Sequence, residues 1–378
     1  MKIMYCIEGL YNSGGMERIV IAKANYFVSE GNDVTIVTVN QKDRPVFFKI
    51  DKSIKLIDLK INYDEISNDN IIKKIFSRHK KIKKHLTNLQ EVVSIFCPDI
   101  IISTFGNEIE FLHKLNTPKN LKKIAEIHFS HDYRLMHGQN IIRRYIHKFL
   151  NIKYKNNISK LDAFVCLTEE DKQKWGNLNN LHVIPNFIEH KSNIPAQLNS
   201  NRAISMGRLT YQKGYDLLLY SWQKVALKHP DWILDIYGDG ELKDELIKLR
   251  EDLGLTNNVY FHSPIRNVYD VLHNASFYIM SSRFEGLPMV LLEAMSVGLP
   301  IVSFQCPCGP FDLLNDNNAG ILVPPGNIDL LSKNITTLIE DKSLRIKMGE
   351  SAYNEASKYL SKNVLEKWES LFKTLLNS

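Results

Sequence analysis

The chain has 378 residues, of which 44% are hydrophobic and 24% are charged. These values exclude a disordered segment and a disulfide-stapled miniprotein, and the length favours two domains over one. The net charge of +6 is unevenly spread, because residues 1–185 hold 29 Lys and Arg against 20 Asp and Glu, whereas the remainder holds 19 against 22. A basic first half and a mildly acidic second half indicate two units with different partners.

Strand and helix periodicities alternate along the sequence, which predicts an α/β protein with parallel sheets. The first series of apolar strands is predicted at residues 2–7, 34–39, 99–103, 123–127 and 163–167, with a helix over 17–29. The second series is predicted at 203–206, 232–237, 259–262, 277–280, 301–304 and 320–323. Two series in tandem predict two doubly wound, Rossmann-like domains, at 1–185 and 186–360, with the boundary in the polar stretch 182–200. A final helix at about 361–378 is expected to pack back on the first domain.

The cysteines form no recognisable disulfide or zinc pattern. Of Cys6, Cys97, Cys166, Cys306 and Cys308, three lie in apolar strand-like segments, as expected in a reducing compartment, and the last two form a Cys-x-Cys pair with no second pair. The N-terminus lacks the features of a signal peptide, and no stretch approaches the roughly 18–20 apolar residues of a membrane span. We therefore expect a cytoplasmic protein.

A glycine-rich segment, NSGGME at 12–17, lies between the first predicted strand and its helix. Gly14 and Gly15 would let the backbone approach a ligand, and the helix start offers unpaired N–H groups to an anion. The segment is not G-x-G-x-x-G, and no acidic residue is suitably placed at the end of the second strand, so an NAD site is disfavoured. An anion site and a simple tight turn both remain open.

Two histidines, His128 and His131, follow a predicted strand of the first series, and Asp132 is adjacent. Open α/β sheets bind ligands at the carboxyl ends of their strands. A single histidine is more often structural than catalytic, but two of them beside a carboxylate at a strand end favour a functional role.

In the second half, cations and carboxylates follow two of the predicted strands. Arg208 follows the first strand of this series and Lys213 lies five residues later. The fork of a guanidinium and the point charge of an ammonium can bind one diphosphate, although two solvated surface cations are the alternative.

Glu285 lies in a Gly-Pro loop and Glu293 in the apolar helix that follows, where a carboxylate is costly to bury without a partner. The pair predicts a site for a hydroxyl-rich ligand, although the helix dipole alone could explain Glu285.

Several motifs of metal and nucleophile chemistry are absent from the sequence. It contains no Asp-x-Asp, no His-Glu-x-x-His, no Walker loop and no Gly-x-Ser-x-Gly. Without an acidic metal cradle, the charge of a leaving group would have to be met by Arg, Lys and backbone dipoles, so we expect neither a metal nor a cofactor.

Together these segments resemble the retaining family 4 glycosyltransferases of the GT-B fold, and the similarity runs through most of the chain. Its most specific part is FEGLPMVLLEAM at 284–295, which resembles the two-glutamate signature of that family. The other similar segments are NSGGMER at 12–18, IPN at 184–186, GRL at 207–209 with KG at 213–214, YGDGE at 237–241 and CGP at 308–310. One position departs from the pattern, because Asp312 stands where many members carry Glu.

The resemblance implies two Rossmann-like domains that face each other across a cleft, with the acceptor bound by the first and the nucleotide sugar by the second. Arg208 and Lys213 would neutralise the departing diphosphate, and Glu293 would accept hydrogen bonds from the ribose. Glu285 would hold the donor sugar, together with the backbone of Gly286, Leu287, Pro288 and Met289.

In the first domain, the resemblance implies that Gly14 and Gly15 close over the donor phosphate. One histidine would lie near the anomeric carbon, and His128 matches that position better than His131. The catalytic residues implied are thus His128, Arg208, Lys213 and Glu285, with Gly238 and Asp312 as further possible site residues.

The activity implied is a retaining, metal-independent transfer of a sugar from a nucleotide sugar, with UDP as the default, to a growing glycan, glycolipid or polysaccharide. In this family's usual account no protein carboxylate is a covalent nucleophile, so the two glutamates would bind rather than react. A nucleotide-sugar epimerase of the same architecture and a catalytically inactive sugar-nucleotide-binding subunit are the alternatives.

Two basic stretches without any acid lie in the first half, namely residues 71–86 with seven Lys and Arg and residues 141–160 with six. At helical spacing they predict amphipathic surfaces that suit a lipid-linked acceptor or an anionic membrane, which would place the protein on the inner face of the cell membrane. No nucleic-acid-binding fold accompanies the charge, so nucleic acid is not an expected partner. A solvated lysine-rich face is the alternative.

Overall fold

The structure is a computed structural model, and it describes residues 1–66, 71–116, 120–133, 141–265, 267–315 and 317–378. The chain divides into two compact units. The first unit comprises Met1–Leu167, Lys172–Ile184 and Leu365–Ser378, and the second comprises Thr168–Asp171 and Pro185–Val364.

The first unit contains a sheet in which every strand runs parallel to its neighbours. Its strands are β1 (Lys2–Ile7), β2 (Asp33–Thr38), β3 (Lys55–Asp58), β4 (Ile100–Ser103), β5 (Lys122–Glu126), β6 (Ala163–Cys166) and β7 (Leu181–Val183). Among the described residues their order is β3-β2-β1-β4-β5-β6-β7. β1 and β2 are buried along most of their length, as expected for central strands of a parallel sheet whose faces are both covered.

The sequence does not predict the two edge strands, β3 and β7. Leu56 in β3 is 45% exposed, and all three residues of β7 are only half-buried. An edge strand pairs on one side only and is only partly covered, so these short segments lack the apolar runs that identify the central strands.

The second unit contains another fully parallel sheet. Its strands are β8 (Arg202–Met206), β9 (Ile233–Tyr237), β10 (Val259–His262), β11 (Phe277–Met280), β12 (Ile301–Phe304) and β13 (Gly320–Val323), all of which the sequence predicts to within one residue. In the described part of this unit their order is β10-β9-β8-β11-β12-β13. The order reverses between β8 and β11, and open α/β sheets bind ligands outside the carboxyl ends of their strands at such a point.

Helices connect the strands of both sheets, which confirms the prediction of two Rossmann-like domains. Those given by the described residues are α1 (Gly15–Ser29), α2 (Ile71–Phe96), α3 (Ile141–Ile158), α4 (Glu169–Trp175), α5 (Tyr215–Lys228), α6 (Lys243–Asp252), α7 (Tyr269–Leu272), α8 (Met289–Ser296), α9 (Pro310–Leu314), α10 (Ile328–Glu340), α11 (Lys342–Glu355) and α12 (Ser361–Asn377). Within those residues, no helix combines the length and the apolar character needed to cross a membrane.

Most of α12 belongs to the first unit, where it packs against α1. The ring of Phe372 lies 5.2 Å from that of Phe27, and the hydroxyl of Tyr26 donates a 2.7 Å hydrogen bond to Glu369. Trp368 is only 1% exposed. The last helix of the chain therefore contributes to the core of the first unit.

A buried ion pair connects α1 to the carboxyl end of β5. Nζ of Lys23 donates to the carboxylate of Glu126, and the two residues are 0% and 1% exposed. The same ammonium lies 4.2 Å from the ring centroid of Trp368 in α12, at cation–π distance. Although burial alone would favour the protonated acid, the charges of Lys23 and His128 lower the pKa of Glu126 to about 2.

We expect Lys23→Met to lower the free energy of unfolding by about 3–5 kcal/mol at pH 7, because Glu126 would remain buried without its ammonium partner. The pKa of Glu126 is lower in the folded protein than its value of about 4.3 in the unfolded chain. Its contribution to the free energy of unfolding is therefore fully present above that unfolded pKa and is lost as the pH falls towards 2. The difference between variant and wild type should therefore shrink at pH 4. Urea unfolding at both pH values measures it.

Lys84→Met removes an exposed lysine and is the control, which should unfold at the wild-type urea concentration. Equal stability of Lys23→Met and the wild type at pH 7 would contradict the role assigned to the pair.

Candidate active site

The carboxyl ends of β8 and β9 approach each other closely. Gly207 follows β8 and has φ +153°. Gly238 follows β9, and a Cβ atom on it would lie 2.0 Å from the carbonyl oxygen of Gly207. A Cβ atom on Gly207 itself would lie 3.0 Å from Cε of Lys213. The two glycines therefore allow this close packing and leave room for the Lys213 side chain.

Lys213 and Glu285 form an ion pair between the chain segments that follow β8 and β11. Nζ of Lys213 lies 2.7 Å from Oε1 of Glu285, and the side chains are 17% and 7% exposed. Ser282 Oγ donates to the same carboxylate oxygen at 2.6 Å, and Gln212 Nε2 donates to the other at 3.4 Å. The structure thus brings two predicted site residues together at the point where the strand order reverses.

A second set of contacts holds the segment that carries Lys213. Ser281 Oγ donates to the carbonyl oxygen of Lys213 at 2.9 Å. Arg283 donates to both carboxylate oxygens of Asp216, at 2.9 and 2.6 Å, in the fork geometry of a strong arginine–carboxylate pair. Sequence reasoning missed this pair, and the available signal was the position of Arg283 immediately before the FEGLP segment.

Arg208 contrasts with Lys213, because it is exposed. No other described residue forms a hydrogen bond or an ion pair with its guanidinium. A cation of this kind, close after a strand and five residues before an anchored lysine, can bind an incoming diphosphate without first breaking a contact within the protein.

Glu293 lies inside α8 and is only 4% exposed. The hydroxyl of Tyr278, on β11, bonds to the backbone of Met206 and is also buried. Burial raises the pKa of Tyr278, the neighbouring Tyr215 raises it further, and the charges of Glu293 and Glu285 add smaller contributions. Both predicted glutamates therefore act electrostatically on one buried phenol.

The loop that precedes α8 packs against the Gly309 turn. Gly309 has φ +100°, and a Cβ atom there would lie 2.4 Å from Cδ of Pro288 and 2.8 Å from the carbonyl oxygen of Gly286. Leu287 is 6% exposed, and Met289 is the first residue of α8. The backbone N–H groups at the start of this helix lack intrahelical partners, as the predicted contact with a donor sugar requires.

Asp312, the position that departs from the family pattern, has a partner within its own unit. Its Oδ1 accepts a 2.7 Å hydrogen bond from the backbone N–H of Glu169, at the start of α4. Burial raises the pKa of Asp312, while backbone N–H groups of Glu169 and Glu170 oppose the shift. In this structure the side chain therefore serves as a helix cap.

In the first unit, Gly15 is the first residue of α1 and Gly14 directly precedes it. A Cβ atom on Gly14 would lie 2.2 Å from Oε2 of Glu17, so the carboxylate of this chain's own Glu17 lies close to the helix start. A negative charge there is favoured by the helix dipole. The geometry is compatible with either interpretation of the glycine segment, the anion site or the tight turn.

The two histidines have different surroundings. Nε2 of His128 lies 3.2 Å from Oε1 of Glu126, and the side chain of His128 is 4% exposed, whereas its Nδ1 has no hydrogen-bond partner among the described residues. Nδ1 of His131 lies 2.7 Å from Oδ1 of Asp132, and its ring packs edge-on against Trp175. His128 is therefore held by the buried ion pair, and His131 by its neighbour in the sequence.

In the described ranges, no group of three or more His, Cys, Asp or Glu side chains is arranged to hold a metal ion. The five cysteines are thiols that form no disulfide with one another, and four of them are buried. Burial, followed by the charge of Glu285, raises the pKa of Cys306 well above its ordinary value.

Solved structures show which fold this protein has. One is a TarM mutant of S. aureus in complex with fondaparinux, alpha-GlcNAc-glycerol and UDP. It is 20% identical to this chain and has a TM-score of 0.78, with 98% of this chain and 99% of that chain covered. The lipopolysaccharide outer core galactosyltransferase WaaB is 22% identical, with a TM-score of 0.74 over 99% of both chains. The fold is GT-B, as the sequence predicts.

The sequence identifies the family. The family described as Glycosyl transferases group 1 matches residues 186–355. A protein of Haemophilus influenzae, described as an uncharacterized glycosyltransferase, is 30% identical over 376 residues, which cover 98% of this chain and 99% of the relative. The chain belongs to the group 1 glycosyltransferases, and the prediction of a glycosyltransferase is confirmed.

We expect Gly214→Ala to lower the free energy of unfolding of the second unit by about 3 kcal/mol or more. Gly214 has φ +64°, and a Cβ atom there would lie 2.2 Å from the carbonyl oxygen of Ser281, which is backbone and cannot swing away. Urea unfolding followed by tryptophan fluorescence measures the change.

Gly254→Ala is the matched control, because Gly254 has φ +71° but nothing lies within 4 Å of its Cβ position. This variant should lower the free energy of unfolding by only about 1 kcal/mol, which is the cost of placing alanine in the left-handed conformation. Equal losses in the two variants would show that the contact with Ser281 does not constrain the loop.

Proposed function

We propose that this glycosyltransferase is a retaining, metal-independent enzyme that uses a nucleotide sugar, with UDP as its nucleotide. The observation that carries the proposal is the Lys213–Glu285 pair at the strand reversal, together with the exposed Arg208 that follows β8 and has no partner among the described residues. A diphosphate leaving group needs positive charge at the moment the glycosidic bond breaks, and preorganised side chains can supply it. The UDP in the TarM structure supports the choice of nucleotide.

In the proposed mechanism, Arg208 binds the diphosphate in fork geometry and Lys213 binds it as a point charge. Glu285 keeps the ammonium of Lys213 in position before the donor arrives and afterwards accepts hydrogen bonds from the sugar. Glu293 accepts from the ribose hydroxyls. The N–H groups of the loop at 286–289 complete the contacts to the sugar.

Retention follows if the acceptor attacks from the side of the leaving diphosphate. The C–O bond to the diphosphate breaks, the acceptor oxygen forms the new C–O bond on the same face, and a phosphate oxygen takes the acceptor proton. No carboxylate of the protein forms a covalent bond in this sequence of events, in contrast to a retaining glycosidase.

For the acceptor, we propose a growing glycan on a lipid diphosphate. A relative from Campylobacter jejuni is 26% identical over 396 residues, which cover 100% of both chains. It is named GalNAc-alpha-(1->4)-GalNAc-alpha-(1->3)-diNAcBac-PP-undecaprenol alpha-1,4-N-acetyl-D-galactosaminyltransferase, an enzyme whose acceptor is a lipid-linked glycan.

We expect Arg208→Gln to reduce kcat/KM for transfer by about 10²–10³-fold, the effect of losing one charged contact to a leaving group. The measurement is a thermal-shift panel of nucleotide sugars, followed by transfer to lipid-linked acceptors in excess EDTA. The product should keep the anomeric configuration of the donor, as read by NMR.

Lys347→Gln, which removes an exposed lysine on α11, should transfer at the wild-type rate. Loss of transfer in EDTA with recovery on adding Mg²⁺ would refute metal independence. Turnover of the nucleotide sugar without any acceptor would instead favour the epimerase.

We further propose that α2 and α3 bind an anionic membrane surface. On α3, Tyr145, Phe149 and Ile152 are 71%, 69% and 62% exposed, and their spacing places them on one face of the helix. Phe76 on α2 is 73% exposed. Exposed aromatic and aliphatic side chains among lysines are typical of helices that lie in a membrane interface.

Substitution of Phe149 and Ile152 by Ser should weaken cosedimentation with vesicles containing about 30% phosphatidylglycerol, since both the apolar insertion and the charge contribute to binding. Leu227→Ser removes an 82% exposed apolar side chain from the second unit and should have no effect. Equal vesicle binding by the wild type, the Phe149 and Ile152 double variant and Leu227→Ser would contradict the proposal.

A further inference from the structure

A cavity of about 490 Å³ lies within the first unit, away from every residue assigned to the donor site. Its walls are α2, α3 and the two short 3-10 turns at Asn107–Glu110 and Leu112–Lys114. The size falls in the range of small-molecule sites.

The charge of the cavity is strongly positive. Lys83, Lys114 and Lys160 line it, and none of them has an acidic partner in the described part of the chain. Glu110, the one acid among the described lining residues, is already paired with Lys153 at 2.7 Å and with Arg78. Three ammonium groups are therefore left without a counter-charge.

His113 also lines the cavity, and the surrounding positive charge affects the pKa of its imidazole. Burial lowers the pKa of His113, and the positive charges of Lys160, Lys114 and Lys123 lower it further. Its Nδ1 is buried and has no hydrogen-bond partner among the described residues.

A buried amide provides an independent indication of a ligand. Asn157, on α3, is only 7% exposed and lines the cavity, and its Nδ2 has no hydrogen-bond partner in the described residues. Leaving a buried donor unsatisfied costs about 1–3 kcal/mol, which a ligand with acceptor oxygens would recover. The amide and the three ammonium groups all offer donors to such a ligand.

We propose that this cavity is a binding site for a phosphate-bearing ligand, in addition to the donor site of the second unit. A planar carboxylate is best matched by the fork of an arginine, whereas a tetrahedral phosphate is readily bound by several separate ammonium groups. Lysines and an amide, with no arginine among the described residues that line the cavity, therefore favour phosphate. Ile82, Leu86 and Phe111 would contact whatever the phosphate is attached to.

The test is a titration of the full chain with inorganic pyrophosphate, followed by the NMR signal of the His113 imidazole. This signal is local to the cavity, so pyrophosphate bound at the donor site does not register. We expect a saturable shift and a rise of the His113 pKa, since a bound anion offsets the positive field.

The double variant Lys83→Gln/Lys160→Gln should weaken pyrophosphate binding at least tenfold. Lys84→Gln/Lys155→Gln removes two exposed lysines from α2 and α3, outside the cavity. It should change the affinity for pyrophosphate by less than about twofold, because only long-range, screened charge is lost. Asn157→Leu changes no charge and should weaken binding about five- to tenfold. Unchanged affinity in this variant would refute the contact between the amide and the ligand.

Vesicles of phosphatidylglycerol distinguish the source of the phosphate. If Lys83→Gln/Lys160→Gln loses vesicle binding and its charge-matched control does not, the ligand is a lipid headgroup. If vesicle binding is equal and only pyrophosphate binding falls, the ligand is a soluble phosphorylated glycan. Absence of a saturable His113 shift, or equal weakening in the two double variants, would overturn the proposal.

Discussion

The candidate site of the second unit depends on close packing at the carboxyl ends of β8, β9 and β11. Gly207, Gly214 and Gly238 each occupy a position where a Cβ atom would meet a neighbouring segment within 3.0 Å. Because these segments touch, Lys213 and Glu285 reach one another although 71 residues separate them in the sequence. An ion pair on the protein surface contributes little to stability. The Lys213–Glu285 pair is instead largely shielded from solvent, and further hydrogen-bond donors hold its carboxylate in place.

Each unit contains a lysine–glutamate pair that joins a helix or turn to the carboxyl end of a strand, but the two pairs differ in access. Lys23 and Glu126 are fully enclosed and covered by Trp368, so they can act only on the structure and on His128. Lys213 remains 17% exposed and can exchange part of its contact with Glu285 for an incoming anion. The same residue types thus form an enclosed ion pair in one unit and a solvent-accessible ion pair in the other.

The sequence predicts the central strands well because continuous burial leaves apolar runs, as in β1 and β11. It also singles out Arg208, Lys213, Glu285 and Glu293 as candidate site residues, since charged residues after a strand or inside an apolar helix are conspicuous. The structure brings two of them, Lys213 and Glu285, into contact. It does not predict the edge strand β3, whose burial is partial, or the pairing of Arg283 with Asp216, which depends on how distant segments meet. The contact of Asp312 with the start of α4 is likewise a long-range feature, 143 residues apart in the sequence.

The position of α12 has a consequence for how the chain is made. The first unit includes Leu365–Ser378, so the ribosome must add the whole of Pro185–Val364, about 180 residues, before the N-terminal sheet can receive its last helix. At roughly 5–20 residues per second this interval lasts about 10–40 s. Throughout that time Phe27 and the ammonium of Lys23 lack the Phe372 and Trp368 side chains that cover them in the finished protein. The half that is synthesised first is therefore the half that is completed last, and the nascent chain exposes this surface to chaperones while the other half forms.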